Sequence, residues 1–269
     1  MHPNLSAYND YEVFNSIAEL LAYRDSKLKD AKKNISFVKQ HLKRKLRVLE
    51  IGSGNSKFLY ALHSEDMLEQ GYGIEISKSR VNFADKWKKD LGIENVYNIE
   101  ANVLEAKLYH LPPFDLVYCV DLAFQFLDPI DPGSDFRTLK SMYNRLGIGG
   151  KIILELDCHH RFTSKMVNGK IRTWQELEDP DPWRYLLWNC ELEEEQLHID
   201  RIFIKRDLSK TSRSKVILKN YQRSDMIYLL SLAGFDNIKS FENWNEENDL
   251  LDDEFIMVGE KPPLKDTKN

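Results

Sequence analysis

The sequence predicts an α/β protein built on a doubly wound, mostly parallel sheet with helices on both faces. Short apolar runs alternate with amphipathic stretches through residues 47–156, as in chains made of successive strand and helix units. A glycine-containing turn follows the first apolar run. After Asp157 the alternation gives way to a segment typical of antiparallel strands. We therefore expect one α/β domain with N-terminal helices and an antiparallel insertion after its fifth strand.

Apolar residues at helical spacing predict two helices in residues 1–46, which we interpret as an N-terminal helical cap. The first helix includes Tyr11 and Leu21, and the second includes Ile35 and Leu42. A basic cluster at 39–47 is interpreted as a solvated helix face, because charged residues at this spacing are typical of such faces.

The strands and helices that follow this cap are read from the apolar runs. Strands are predicted at 47–51, 72–76, 96–99, 114–120 and 151–156, the last preceded by a glycine-rich turn at 147–150. Helices are predicted after Ser56, at 79–90 and at 136–145. Strands that alternate with helices in this way form parallel sheets covered on both faces.

The insertion is predicted at about residues 158–220, where an aromatic, acidic stretch at 174–188 precedes strands at 199–204 and 215–220. The alternation then resumes. Ser224 is typical of a helix N-cap and Gly234 of a helix end, and strands are predicted at 238–241 and 255–259. The main domain is predicted to span 47–261, and residues 262–269 to form a flexible tail.

Composition and charge narrow the function classes. A formal net charge of −5 gives no general attraction to phosphate backbones or anionic lipid, so no nucleic-acid partner is expected. The three cysteines lack a C-x-x-C pairing, which argues against a disulfide framework and a thiolate zinc site. No export signal or membrane span is expected. A cytoplasmic location is predicted, and the oligomeric state stays open.

The turn after the first strand indicates a nucleoside ligand. Gly52 and Gly54 stand where a buried strand turns into a helix, and glycines there let backbone N–H groups approach a ligand closely. A dinucleotide-binding loop would have a third glycine at position 57, where this chain has Lys57. Glu50 would repel a pyrophosphate but attract a cation such as a sulfonium or an amino group. The loop therefore favours a sulfonium nucleoside.

A second acidic residue supports the nucleoside. Glu75 follows Gly54 by about twenty residues and ends the second apolar run, the spacing at which a carboxylate accepts hydrogen bonds from ribose hydroxyls. The joint spacing of Glu50, the two glycines and Glu75 makes a solvated charge the weaker interpretation.

Four motifs in this order resemble those of class I S-adenosylmethionine-dependent methyltransferases, in particular the group acting on small molecules. They are V-L-E-I-G-S-G, G-Y-G-I-E-I-S, F-D-L-V-Y-C-V-D and L-G-I-G-G-K-I-I-L-E, which begin at Val48, Gly71, Phe114 and Leu146. The resemblance spans about residues 45–157 and, more loosely, 221–260. It implies a seven-stranded sheet with a reversed last strand and S-adenosylmethionine as cofactor, with S-adenosylhomocysteine as product.

The resemblance also assigns cofactor-binding residues. The loop around the methionine part would include Glu50, Gly52, Ser53 and Gly54. The ribose would contact Glu75, next to Ile76. The adenine edge would meet Asn102 and Val103, although Asn102 replaces the aspartate common in the family, and Val120 and Asp121 would border the sulfonium.

The methyl acceptor needs a base only if it is a hydroxyl, since methyl transfer is an in-line displacement. His159 and His160 follow the fifth strand, at the sheet edge where ligands bind in open α/β folds, and either could be that base. Asp121 completes the catalytic candidates. A metal site at Asp157 and these histidines is not predicted, because the three residues are too crowded in sequence.

Aromatic residues are candidates for the acceptor side. Trp174 and Trp183 in the insertion could stack on a sugar or enclose an amine cation, or form a core of the insertion itself. Tyr8 and Tyr11 could close the pocket as an N-terminal lid, with core packing the alternative for Tyr11. Gln125 is the polar residue in an apolar stretch and could contact the acceptor.

The sequence thus predicts a methyltransferase acting on a small polar metabolite, which could be a sugar. A hydroxyl acceptor is preferred over an amine because of the two histidines. An NAD-dependent oxidoreductase is an alternative that Lys57 argues against. A methyltransferase-like subunit without catalytic activity is the remaining alternative.

Overall fold

The computed structural model describes residues 14–106, 110–242, 244 and 254–263, except the side chains of residues 161 and 162. The strands are β1 Leu46–Ile51, β2 Leu68–Glu75, β3 Val96–Glu100, β4 Phe114–Cys119, β5 Leu146–Asp157, β6 Lys170–Glu176, β7 Trp183–Glu193, β8 Gln196–Lys205, β9 Thr211–Lys219, β10 Asp236–Phe241 and β11 Glu254–Glu260. The helices are α1 Ile17–His41, α2 Lys57–Ser64, α3 Lys78–Asp90, α4 Leu127–Ile130, α5 Ser134–Arg145, α6 His160–Thr163 and α7 Arg223–Ala233, with a 3-10 helix at Ala123–Phe126.

Seven strands form the main sheet in the order β10-β11-β5-β4-β1-β2-β3. The pairs among β1 to β5 are parallel, whereas β11 runs antiparallel to both β5 and β10. The predicted seven-stranded sheet with a reversed last strand is therefore confirmed. The strand order reverses between β1 and β4, and open α/β sheets bind ligands at the carboxyl ends of the strands at such a point.

Alternate residues of β1 pack on opposite faces of this sheet. Val48 lies in a core formed with α1, α2 and α3, and Leu49 and Ile51 lie in a core formed with α5 and α7. Because strand side chains alternate between faces, burial on both sides explains the nearly continuous apolar run of this strand. The doubly wound arrangement predicted from the sequence is confirmed.

The long helix α1 differs from the prediction. Ile17, Ile35 and Val38 belong to one helix, which begins at the N-cap Ser16, whose side chain accepts a hydrogen bond from the Glu19 amide. The prediction of separate helices was wrong over this range because the polar stretch 25–34 interrupts the apolar pattern but contains no glycine or proline to end a helix. The earlier part of the predicted first helix lies outside the described residues.

The remaining four strands form a separate antiparallel sheet in the order β6-β7-β8-β9, which confirms the predicted insertion after the fifth strand. Leu197, Leu218 and Cys190 form its small core, against which Leu122 and Phe126 pack. Gln125 ties the two sheets together, since its side-chain amide donates to the Asp157 and Lys219 carbonyls and its oxygen accepts from the Asp157 amide. The insertion is therefore held directly beside the end of β5.

Surface charges near the start of β1 are paired. Lys39, Arg44, Lys45 and Arg47 form ion pairs with Glu65, Asp115, Asp66 and Glu69, at N–O distances of 2.9, 2.6, 2.5 and 3.1 Å. These pairs agree with a solvated charged surface, but the predicted single helix face was wrong, because α1 ends at His41 and Arg47 lies on β1. No helix within the described ranges is long and apolar enough to cross a membrane.

Candidate functional site

A cavity of about 510 Å³ lies at the carboxyl ends of β1 and β2. Its walls come from the segments that follow β1, β2, β3 and β4, from α1, and from the insertion. The lining includes the predicted site residues Glu50, Gly52, Ser53, Gly54, Glu75, Ile76, Asn102, Val103, Asp121 and Trp183. Segments far apart in the sequence thus meet at the edge of the sheet where the strand order reverses.

The loop after β1 requires its glycines. Gly52 and Gly54 have φ angles of +66° and +57°, in the left-handed region that side chains rarely adopt. A Cβ atom on Gly52 would lie 2.5 Å from the Ala123 Cβ, closer than two non-bonded carbon atoms can approach. The loop backbone therefore packs directly against the segment after β4. Both glycines also line the cavity.

Glu75 holds this loop in place. Its two carboxylate oxygens accept hydrogen bonds from the Gly54 amide at 2.8 Å and the Ser77 amide at 2.7 Å. Each oxygen still has a second lone pair for a ligand hydroxyl. The predicted ribose contact stays a prediction, but the side chain has a further role, since it connects the ends of β1 and β2.

Glu50 is the group best suited to a cation. It is buried, and its Oε2 atom has no hydrogen-bond partner among the described residues. Burial raises the pKa of this carboxyl well above its ordinary value, and Lys57 opposes the increase. A buried acceptor without a partner is costly. An ammonium group of a ligand in the cavity would satisfy it, so this part of the site fits the amino acid end of S-adenosylmethionine.

Asp121 and Leu122 form an unusual turn after β4. Their φ angles are +53° and +65°, rare values for residues other than glycine. The Asp121 Oδ2 atom lies 3.1 Å from Lys57 Nζ, and this ammonium group holds the pKa of Asp121 below its ordinary value. An ionised carboxylate is therefore presented to the cavity.

Ile76, directly after β2, and Asn102 and Val103, after β3, also line the cavity. The Asn102 Oδ1 atom accepts from the Leu104 amide at 3.1 Å, so this side chain also shapes its own turn. Val120, by contrast, does not line the cavity. It is buried in the core under α1 and α2, because the turn begins only at the next residue.

The two histidines lie away from the cavity lining. His159 is buried, with Nδ1 3.1 Å from the Asp157 Oδ2 atom and its amide donating to Asp157 Oδ1. His160 is exposed and begins α6. Neither residue lines the cavity, so the structure does not support their prediction as bases.

Two other predicted acceptor contacts are placed elsewhere. Gln125 is fully buried and bonded to backbone groups of β5 and β9, and Trp174 is 64% exposed on β6, where it contacts the Tyr185 ring. Trp183 does line the cavity. Tyr8 and Tyr11 lie outside the described residues.

The sequence did not indicate several residues of the cavity lining. Phe14, Tyr23 and Lys27 of the N-terminal region and Asp181 and Phe203 of the insertion also line the cavity. Asp181 accepts from the Trp183 amide at 2.9 Å, and burial raises the pKa of this carboxyl. The only signal in the sequence was the aromatic and acidic composition of the insertion, which does not identify individual residues.

The chain is similar to methyltransferases. A family model described as a methyltransferase domain matches residues 42–206. A tRNA (guanine-N(7)-)-methyltransferase of Synechococcus sp. (strain JA-3-3Ab) is 33% identical over 81 residues, which are 30% of this chain and 33% of that protein. The match thus spans about a third of the length of the curated relatives.

Two solved structures share most of the fold. A S-adenosylmethionine-dependent methyltransferase from Clostridium acetobutylicum has a TM-score of 0.70 at 13% identity, over 88% of this chain and 92% of that chain. The amino pentose methyltransferase CalS10 from Micromonospora echinaspora has a TM-score of 0.66 at 15% identity, over 93% and 100% of the two chains. At these identities the likeness is one of fold.

Proposed function

This chain belongs to the methyltransferase domain family, and we propose that it methylates the amine of a small polar acceptor of about sugar size, using S-adenosylmethionine. The observation that carries the choice of an amine is the cavity lining, which contains the carboxylates of Asp121 and Asp181 but neither histidine. Carboxylates and aromatic rings together recognise amines. A hydroxyl acceptor would need a base, and the histidines predicted for that role lie elsewhere.

The residues around β1 fit the cofactor. Glu50 offers a buried, unpaired acceptor for the amino group, and Glu75 offers lone pairs for ribose hydroxyls. When bound, S-adenosylmethionine supplies a sulfonium methyl whose carbon accepts the acceptor's lone pair, while the carbon–sulfur bond breaks and leaves its electron pair on sulfur. The Glu50 carboxylate would repel the pyrophosphate of NAD, which disfavours the oxidoreductase alternative.

The charges near Asp121 control the state of the acceptor. The Asp121 carboxylate can accept a hydrogen bond from the amine and so orient it. Lys57 pairs with Asp121, and Lys27 also lines the cavity. These two ammonium groups offset the carboxylates of the lining, which alone would favour the protonated amine that lacks a lone pair. The proton released after transfer passes to solvent, because Lys57 keeps the pKa of Asp121 low.

Known fold relatives agree with an amine of this size. CalS10 is an amino pentose methyltransferase, and KedS8 of Streptoalloteichus sp., with a TM-score of 0.58, is a sugar N-methyltransferase. The cavity of about 510 Å³ is within the range of small-molecule sites. These likenesses support the proposal, while the acceptor itself has to be identified by experiment.

An acceptor screen tests the proposal. The protein is incubated with S-adenosylmethionine and pairs of sugars that differ only in an amino or a hydroxyl group, and with tRNA as a separate arm. Methylated products are identified by mass spectrometry. We expect methylation of amino members and not of their hydroxyl partners, and His160→Ala is expected to leave turnover unchanged.

Three other results would contradict the proposal. Methylation confined to hydroxyl members, with loss of turnover in His160→Ala, would restore the hydroxyl acceptor. Methylation of tRNA would show that the acceptor is a nucleic acid and not a small molecule. Calorimetric titration with S-adenosylhomocysteine and NAD separates the enzyme classes, and tighter binding of NAD would contradict the methyltransferase assignment.

A further inference from the structure

Glu155 is a buried carboxylate that the proposed chemistry does not use. It lies on β5, is 8% exposed, and has Ile256 of β11 as its register partner. Its Oε2 atom accepts a hydrogen bond from the Asp121 amide at 3.0 Å. Its Oε1 atom accepts from the Trp244 indole at 2.6 Å. One side chain therefore connects the turn after β4 with a tryptophan outside the cavity lining.

The turn that Glu155 contacts has a strained backbone conformation. Asp121 and Leu122 both have positive φ angles, which L residues adopt only when the surroundings enforce them. Further bonds join the Ala123 amide to the Val120 carbonyl at 3.2 Å and the Gln125 amide to the Leu122 carbonyl at 2.9 Å. Glu155 supplies the hydrogen bond at the residue whose carboxylate faces the cavity.

Trp244 is itself fixed by packing. It is 4% exposed, and its ring meets the ring of Phe37 on α1 edge to face, with centroids 5.3 Å apart. The indole N–H can only donate. Because both oxygens of Glu155 accept hydrogen bonds from N–H groups, the geometry suits the ionised carboxylate.

We propose that Glu155 is a positioning residue for methyl transfer, which holds the Asp121 turn in its left-handed conformation and so places the Asp121 carboxylate at the cavity. It acts through the Asp121 amide and touches neither substrate. When Glu155 is ionised the amide is held by a charge-assisted hydrogen bond. When Glu155 is protonated this hydrogen bond weakens and the turn relaxes.

The surroundings of Glu155 set its protonation. Burial raises the pKa of Glu155 to about 7, and the charges of Asp121 and of Glu254 on β11 add to the increase. The hydrogen bonds from the Asp121 amide and the Trp244 indole act in the opposite direction. Tyr118, on the neighbouring β4, is fully buried and has a pKa raised by burial, so it stays neutral. Glu155 therefore changes charge near neutral pH.

Tryptophan fluorescence measured against pH tests the linkage without any acceptor. Trp244 donates directly to Glu155, so ionisation of the carboxyl changes its emission. We expect a transition near pH 7 in the wild type. It should be absent in Glu155→Gln and in Trp244→Phe. In the control Glu254→Gln it should remain but move to lower pH, because one negative charge near Glu155 is removed. A transition that persists in Glu155→Gln would overturn the proposal.

The kinetic arm rests on the proposed function and uses whichever acceptor the screen identifies. We expect Glu155→Gln to lower kcat by roughly ten- to a hundredfold, since small displacements of reacting groups have effects of this order, with KM for S-adenosylmethionine little changed. Trp244→Phe, which removes only the indole donor, should give a smaller loss of kcat. An unchanged kcat in Glu155→Gln would contradict the positioning role, whereas failure of every acceptor would contradict only the proposed function.

Discussion

At the scale of single residues, the site depends on carboxylates whose surroundings differ. Glu50 is buried without a partner on Oε2, Glu75 is bonded to two backbone amides, and Asp121 is paired with Lys57. The same chemical group thus has three different roles, because burial and neighbouring charges decide whether it stays ionised. Of these three, Glu50 is the one with a buried oxygen that has no partner among the described residues.

Glu50→Gln tests that role. Replacing the carboxylate by an amide removes the charge while keeping the shape. A hydrogen bond to a charged group contributes about 1.5–3 kcal/mol, so we expect S-adenosylmethionine to bind roughly ten- to a hundredfold more weakly by calorimetry. Glu100→Gln, at the exposed end of β3, is the matched control and should bind normally. Equal affinities of both variants for S-adenosylmethionine would show that its amino group does not bind Glu50.

At the scale of elements, the positions of strands were predictable but several boundaries were not. The glycine-rich segment 147–150, predicted as a turn, lies inside β5, where the pairing shifts between Phe114↔Leu146 and Leu116↔Lys151. Glycines accommodate such an irregularity in a strand as readily as a turn. Likewise β2 begins at Leu68, since pairing with β1 extends the strand through polar residues. Tertiary pairing decided both boundaries.

The loop after β1 gives a prediction at this scale. Gly52→Ala places a Cβ 2.5 Å from the Ala123 Cβ and also strains a φ of +66°, so we expect loss of thermal stability and of cofactor affinity. Gly149→Ala is the matched control, because its φ is +74° but nothing lies within 4 Å of the added Cβ. The control should show only the backbone penalty, of about 1–3 kcal/mol. Equal effects on cofactor affinity would mean that contact with Ala123 is unimportant.

At the scale of the whole molecule, buried carboxylates link stability to pH. The folded-state pKa of Glu155, about 7, lies above its ordinary value of 4.5. Folding is therefore favoured by this group below about pH 4.5, and the contribution is lost as the pH rises through about 7. Glu50 acts in the same direction, whereas Asp121 and Asp135, with lowered pKa values, act oppositely.

Thermal unfolding of wild type and Glu155→Gln, measured against pH, isolates the contribution of Glu155 to stability, because the other titratable groups are common to both proteins. The difference in stability between variant and wild type should move in favour of the variant as the pH rises from 4.5 to about 7. One unit of pKa corresponds to about 1.4 kcal/mol, so the change should be on the order of 3 kcal/mol. A constant difference across this range would show that Glu155 does not titrate there.

The sequence by itself determined the fold class and the position of the glycine loop after β1. Strand and helix periodicity is local, and Glu50, Gly52, Gly54 and Glu75 lie at spacings that a strand, a turn and a helix impose. These residues could therefore be identified without coordinates, and the structure places all four in the cavity lining.

Only the tertiary structure decided which other residues line the cavity. Lys27 on α1 and Asp181 in the insertion both line it although they are far apart in the chain, and no local pattern relates them. His159 and His160 follow the expected strand, but neither lines the cavity. Which side chains line the cavity depends on the packing of α1 and the insertion against the sheet, a long-range property that sequence spacing does not encode.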